Sequence, residues 1–285
     1  MCGHERFPAD WLRLREPVDH RSRAEELLEP LRKLSWDTRS SRILDLGGGT
    51  GSNLRYLAPR LPAPQSWVVV DRDAALLQEA QAPGPQVSVR LVEGDLRREG
   101  LSEVPGSRLV TGSALLDLVS EEWLRDLVRA CAETRAAVHF ALTYDGEIVW
   151  EEESRVPDGL PGAEGAPGPE DDLLVRHAVN EHQRRDKGMG PALGPDAGPM
   201  VERLLEGWGY RVASSRSPWK LGPDDAALAI PLLEGWARAA REVEPGEEER
   251  IRRWLTARTD TVVSGRPFSL TVGHRDVTAL PGTSP

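Results

Sequence analysis

RILDLGGGTGSNLRYLA, residues 42–58, joins three local signals without a gap. Ile43, Leu44 and Leu46 form a short apolar run of the kind that builds a buried strand. Gly47, Gly48, Gly49 and Gly51 follow at once, and residues 53–57 then take up helical spacing. Strand, glycine turn and helix in this order bring backbone N–H groups and a helix N-terminus close to a ligand. The glycines at 47, 49 and 51 run G-x-G-x-G, whereas a dinucleotide fingerprint needs its third glycine where this chain has Ser52. Asp45, inside the strand end, would repel a pyrophosphate and suits an ammonium group.

Two further acids follow the same pattern. Residues 67–70, WVVV, form a second apolar run that ends at Asp71. An acid at the end of the second strand, about 20 residues past the glycines, bonds ribose hydroxyls in Rossmann-like sheets. On its own Asp71 fits a nicotinamide dinucleotide equally well. Residues 87–92 alternate as a third strand and end in Glu93, Gly94, Asp95 and Leu96.

Three acids closing three successive strands, with G-x-G-x-G after the first, resemble the class I S-adenosylmethionine-dependent methyltransferases. Motif I of that family is an apolar strand followed by Asp/Glu-x-G-x-G-x-G. The resemblance implies S-adenosyl-L-methionine as cofactor, held by Asp45, Gly47, Gly48, Gly49, Gly51, Asp71, Arg72, Asp95, Leu96 and Ser113. Within that set Asp71 takes the ribose hydroxyls, Asp95 accepts from the adenine amino group and Leu96 packs on the ring. Two other readings stand beside it: an NAD(P)-dependent oxidoreductase of Rossmann type, which leaves Asp95 unexplained, and a non-catalytic S-adenosylmethionine-binding protein.

At 285 residues the chain can bury a sizeable core. Its net charge of −10 argues against a broad phosphate-backbone footprint, so no nucleic-acid partner is expected. Two cysteines, Cys2 and Cys131, argue against a disulfide framework or a zinc site, and no metal site is expected. No apolar run reaches membrane-spanning length and the N-terminus lacks a signal-peptide core, so a cytoplasmic protein without a membrane partner is expected.

Residues 1–41 read as an N-terminal helical segment, with Trp11, Leu12 and Leu14, then Ala24, Leu27, Leu28, Leu31 and Leu34 at helical spacing. In the resembled family such helices fold over the cofactor as a lid, and Arg15 is the candidate partner for the methionine carboxylate. Residues 42–285 read as the methyltransferase domain. Its fourth strand ends at Gly112-Ser113-Ala114-Leu115, without the Asn/Asp-Pro-Pro-Tyr/Phe signature of enzymes that methylate exocyclic amines of bases or of glutamine. A fifth strand, at 136–143, runs into Tyr144, Asp145 and Gly146, with His139 in its middle as either a structural or a catalytic histidine. The β–α alternation predicts an α/β fold, a Rossmann-like sheet of five parallel strands with helices on both faces.

Residues 151–199 read as a substrate-side insertion. A Gly- and Pro-rich loop at 157–169 precedes a helix from Asp171 or Asp172 to about Lys187, and turn-rich residues 188–195 follow it. Val175, Val179 and His182 fall at i, i+4 and i+7 on that helix, with Asn180 and Arg184 nearby. If the helix arches over the strand ends, these residues face the pocket, and Tyr144, Asn180 and Arg184 become candidate substrate contacts. His182 is then the first candidate general base and His139 the second; the competing reading makes His182 a core histidine. Helices at 200–209, 228–242 and 247–258 and strands at 210–217 and 267–280 complete the chain. The resemblance implies that the last strand inserts antiparallel between the fifth and sixth. It also implies methyl transfer to a small-molecule acceptor, with oxygen, nitrogen and carbon nucleophiles all open.

Overall fold

A computed structural model describes residues 8–36, 42–152 and 168–282, and in it the 43–46 run becomes an interior strand of an eight-stranded sheet. The strands are β1 (Arg42–Leu46), β2 (Gln65–Asp71), β3 (Val87–Glu93), β4 (Leu109–Ser113), β5 (Ala137–Glu152), β6 (Tyr210–Arg216), β7 (Trp219–Leu221) and β8 (Phe268–Pro281). They lie in the order β3-β2-β1-β4-β5-β8-β6, with β7 beside β8. The first five pair in parallel, and β8 runs antiparallel between β5 and β6. Ile43, Leu44, Leu46 and Trp67 are fully buried, as strands covered on both faces require. From β1 the chain winds outward to β2 and β3, then returns to β4 and β5 on the other side. The loop after β1 therefore lies at the point where strand order reverses, the place where open α/β sheets bind ligands.

The described helices are α1 (Ala9–Ser22), α2 (Glu29–Arg32), α3 (Ser52–Leu57), α4 (Ala74–Leu77), α5 (Glu121–Thr134), α6 (Pro169–Gln183), α7 (Ala197–Gly207), α8 (Ala226–Val243) and α9 (Glu248–Val263). Trp123, Leu124, Leu127 and Cys131 of α5 pack with Val201 and Leu205 of α7 against one face of the sheet. Leu54 and Leu57 of α3 cover the other face, together with Leu28 and Leu31.

A third apolar cluster lies beyond the parallel strands. β5 does not stop near Gly146 as its sequence suggests; it continues to Glu152, paired with β8 across two irregularities in register. At the first of these Leu142 has φ +53°, and its N–H donates to Asp276 Oδ1 at 2.8 Å. β7 adds to the same extension, with Trp219 opposite Val272 and Leu221 opposite Leu270. Val175, Ala178 and Val179 of α6 are buried there among residues of α8 and α9. Asp172 fastens the other end of α6: its Oδ2 accepts from Arg258 Nη2 at 2.6 Å and its Oδ1 from Trp254 Nε1 at 2.7 Å. The helix expected to arch over the strand ends is thus held against α8 and α9. Most of the Gly- and Pro-rich loop before it, and residues 1–7 and 37–41 of the N-terminal segment, lie outside the described residues.

The N-terminal helix α1 lies between two parts of the molecule. Toward the glycine turn, Glu16 takes a two-pronged contact from Arg55 at 2.7 and 2.6 Å, and His20 Nε2 meets Ser52 Oγ at 3.1 Å. Toward β7 and α8, Arg21 donates to Asp225 at 2.7 Å and Trp219 Nε1 to Asp19 Oδ1 at 3.0 Å. Among the described residues no helix is long and apolar enough to cross a membrane.

Candidate active site

The glycine turn is drawn down onto the sheet. The N–H groups of Gly47 and Gly48 both donate to Val70 O, that of Gly51 to Gly48 O, and that of Gly49 to Asp71 Oδ2 at 2.9 Å. These amides are used within the protein, so the turn presents its Cα atoms to the space above it. Gly48 is needed for this approach, since a Cβ there would come within 2.4 Å of Val69 Cγ1 in β2. Gly49 has φ +51°, a backbone conformation that favours glycine.

Above the turn is a cavity of about 380 Å³, within the range of small-molecule sites. One end is acidic. Asp71 faces it with Oδ1 accepting from the Asp73 N–H at 2.9 Å, and Asp73 itself caps α4. Asp95 and Leu96 stand beside them, Asp95 Oδ1 accepting from the Arg97 N–H at 2.6 Å. The opposite end is walled by Leu115, Leu118, Val119 and Met189. Leu12, Arg15 and Asp19 of α1 form a side wall, and Arg15 donates Nε and Nη2 to Asp19 at 2.9 and 3.2 Å.

Of the candidate residues read from sequence, the structure brings Arg15, Gly47, Gly48, Gly49, Asp71, Arg72, Asp95, Leu96 and Ser113 to this cavity. The others lie outside its lining, each for a visible reason. Gly51 has turned away to form the N-cap of α3. Asp45 is fully buried beneath the turn, its Oδ1 accepting from Asn53 Nδ2 at 2.7 Å and its Oδ2 without a partner. Nothing there exposes it to a ligand's ammonium. His139 is buried with both ring nitrogens engaged: Arg23 Nη2 donates to Nε2 at 3.0 Å, leaving Nδ1–H to donate to Thr278 Oγ1 at 2.8 Å. Burial, with Arg23 beside it, holds its pKa well below the usual histidine value.

Tyr144 and Asn180, which lie outside the lining, tie two elements together. Tyr144 OH donates to Asn180 Oδ1 at 2.7 Å and Asn180 Nδ2 to Gly146 O at 3.0 Å, which fixes α6 to β5. Arg184 is committed to Glu181 and Asp196. His182 is half-buried, its Nε2 3.2 Å from Glu242 Oε2 and its Nδ1 3.4 Å from Lys187 Nζ. The insertion reaches the cavity through the loop that follows α6, by Lys187, Gly188 and Met189. A Leu193 N–H to Val119 O bond of 2.9 Å and a bridge between Ala192 and Ser120 dock that loop over the end of β4. Sequence reasoning missed these three residues, as well as Asp73, Leu76 and Leu118; Asp73 alone carried a signal, as an Asp directly before a helix.

Residues 43–136 match the family model of a methyltransferase domain. That stretch, which holds the glycine turn and the first four strands, is a methyltransferase domain. No curated protein sequence matches this methyltransferase. Its fold is similar to that of the YcgJ protein from Bacillus subtilis, at 15% identity and a TM-score of 0.50, over 93% of this chain and 100% of that one. Two weaker structural likenesses are a SAM-dependent methyltransferase from Geobacter sulfurreducens in complex with S-adenosyl-L-homocysteine and the cyclopropane synthase MmaA2 from Mycobacterium tuberculosis. The first has 15% identity and a TM-score of 0.41, over 99% of this chain and 94% of that one. The second has 14% identity and a TM-score of 0.48, over 96% and 94%.

The cavity has the features that S-adenosylmethionine, the cofactor implied by the resemblance, would use. Carboxylates stand at the ends of β2 and β3, an apolar side chain lies next to the second of them, and the glycine turn leaves room that side chains would fill.

The buried Asp45 gives the methyltransferase a pH dependence. Burial raises its carboxyl to about 7 from 3.8, against opposing contributions from Asn53 and Arg23. The folded protein then keeps a proton that the unfolded chain releases from about pH 4 upward. Stability from this group is full below that point, declines as pH rises and is gone above about 7. Asp45→Asn, neutral at every pH, is expected to flatten this part of the curve. Between about pH 4 and 7 the wild-type Tm should fall relative to that of the variant. Asp117, raised to about 6 by its own burial, is present in both proteins and cancels in the comparison. Parallel Tm curves in differential scanning calorimetry would count against a raised Asp45.

Proposed function

We propose that this methyltransferase transfers the methyl group of S-adenosylmethionine to a small-molecule acceptor bound at the apolar end of the cavity. The observation that carries this reading is the cover. Leu12 and Arg15 of α1 line one side and Lys187 to Met189 the other, which leaves a partly covered cleft better suited to a small molecule than to a polymer. The net charge of −10 supports the same choice.

In this reading Asp71 holds the ribose hydroxyls, Asp95 the adenine amino group, and Leu96 the ring face. The glycine turn lies along the methionine end, and Arg15, oriented by Asp19, faces its carboxylate. Bound S-adenosylmethionine supplies a methyl group already activated on a sulfonium, open to in-line displacement. The protein's own contribution is to align the acceptor and exclude water, and positioning of this kind can supply roughly 7–11 kcal/mol of the barrier. Ser113 and Leu115 at the end of β4 stand between the acidic and apolar ends, where that alignment is set. His139 and His182 lie outside the lining, so neither is assigned as a base acting directly on the acceptor.

The test is to incubate the purified protein and methyl-labelled S-adenosylmethionine with a cell extract, then separate the ultrafiltrate from the macromolecules. New labelled compounds are expected in the ultrafiltrate. Label confined to protein or nucleic acid overturns the small-molecule assignment.

A further inference from the structure

Two non-glycine residues hold left-handed backbone beside the acceptor end: Ala114 at φ +51°, just past β4, and Leu142 at φ +53° in β5. L residues keep such conformations only where their surroundings enforce them. One buried group bears on both. The carboxylate of Asp276 in β8 is fully buried, and its Oδ1 accepts the Leu142 N–H at 2.8 Å and Ser217 Oγ at 2.5 Å. Leu142 follows Ala141, whose carbonyl accepts the Ala114 N–H at 2.9 Å. Ala114 in turn opens the segment that carries Leu115, Leu118 and Val119 into the cavity wall.

The other oxygen faces a different wall. Asp276 Oδ2 accepts the Ala24 N–H at 3.0 Å and lies 3.5 Å from Arg23 Nε. Residues 23 and 24 follow directly on α1, which lines the cavity with Leu12, Arg15 and Asp19. Arg23 is itself fixed in the core, where it donates to Asn53 Oδ1 at 3.1 Å and to His139 Nε2 at 3.0 Å. The C-terminal end of α1 is thus set by the same carboxylate that sets the segment after β4. Because Asp276 is fully buried, drawing an N–H away from either oxygen leaves a polar group unsatisfied. The two walls therefore resist separate movement.

We propose that Asp276 is a positioning residue for methyl transfer: its two oxygens hold α1 and the segment after β4 in fixed relation, and so set the shape of the acceptor end. Asp276 lies outside the cavity lining. It acts through Ala24 on one side and through Leu142, Ala141 and Ala114 on the other. The inference rests on the reading, given above, that the acceptor binds between these walls.

The test uses the full-length protein and two readouts, amide hydrogen exchange by mass spectrometry and methyl transfer. Ala24→Pro removes the N–H that Oδ2 accepts. The backbone there already suits proline, with φ −77° at residue 24 and φ −63°, ψ 141° at Arg23 before it. The variant is expected to speed exchange at residues 114–119 about tenfold, as the loss of one buried hydrogen bond provides. Ala114→Gly, which frees the other side, should speed exchange along α1, since coupling between two places is reciprocal. Asp276→Asn should loosen both; because it leaves Arg23 without its carboxylate it risks the fold, and Ala24→Pro then carries the decision. At saturating S-adenosylmethionine, label transfer to compounds of the cell-extract ultrafiltrate should fall about tenfold in each single variant, well within the cost of a misplaced reactant. The double variant Ala24→Pro/Ala114→Gly should be no slower than the slower single, because the link is already broken. Ile251→Val, in the core of α9, is the control for a general loss of stability. The proposal is overturned if Ala24→Pro leaves exchange at 114–119 at the wild-type rate, or if Ile251→Val speeds it as much. It is also overturned if the two single losses of transfer multiply in the double variant, which would make Asp276 a general support of the fold. A wild-type protein that labels no small compound would instead refute the reading of the acceptor end, while the exchange rates still decide whether Asp276 couples the two walls.

Discussion

Asp71→Ala is expected to weaken binding of S-adenosylhomocysteine by about 1.5–3 kcal/mol, the range for hydrogen bonds to a charged group. That corresponds to a loss of about tenfold to somewhat over a hundredfold in affinity. Two separate jobs meet in this carboxylate. Its Oδ2 holds the Gly49 N–H and its Oδ1 the Asp73 N–H, both at 2.9 Å, so it ties the glycine turn to the start of α4. Each oxygen keeps a second lone pair, and these are the acceptors proposed for the two ribose hydroxyls. Alanine removes both functions together. Because Asp71 lies at the sheet edge and not in the core, far-ultraviolet circular dichroism should be unchanged. Calorimetry returning the wild-type Kd would sink the ribose assignment.

Gly49→Val is expected to leave no measurable cofactor binding in a folded but less stable protein. The backbone at φ +51° is costly for any L side chain and most costly for a β-branched one. Even a single Cβ at this position would stand 3.4 Å from Leu12 Cδ1 and 3.9 Å from Asp71 Oδ2. The two valine methyl groups must extend further, between α1 and the Asp71 carboxylate, into the lining of the cavity. Backbone strain lowers Tm, and the occupied space removes binding, so the two effects can be measured separately. A crystal structure of the variant with S-adenosylhomocysteine bound above an unmoved turn would refute this placement of the loop.

Much of the site was legible because its signals are local. An apolar run, four glycines and a helical repeat within residues 43–57 are sufficient for a strand, a turn and a helix, since each depends on near neighbours alone. Acids ending the second and third strands were readable for the same reason: a strand that leaves the core must end in something polar. Asp71 and Asp95 do line the cavity. Asp45 stands one residue inside the end of its own strand, opposite Val69, and is buried. β1 is covered on both faces, and Gly48 pressed against Val69 closes the space above the carboxylate.

The insertion shows where local reading ends. By itself the sequence determined a helix from Asp171 or Asp172 with Val175 and Val179 on one stripe, followed by a turn-rich loop; it ran that helix to about Lys187, whereas α6 ends at Gln183. It could not determine which surface receives that stripe, because the receiving residues, Leu233, Trp236, Ile251 and Trp254, lie more than fifty positions further along. Arg258 and Trp254 then fix Asp172, so α6 packs away from the cavity and the loop after it takes the place at the wall. His139 was equally undecidable, since Arg23 and Thr278, which engage its two nitrogens, come from opposite ends of the chain. The sequence alone determined the elements, the glycine turn and the acids of the cofactor end, for these follow from local sterics and periodicity. Only the tertiary structure decided which charged groups reach the acceptor end. That depends on which distant apolar faces and counter-charges capture each element first.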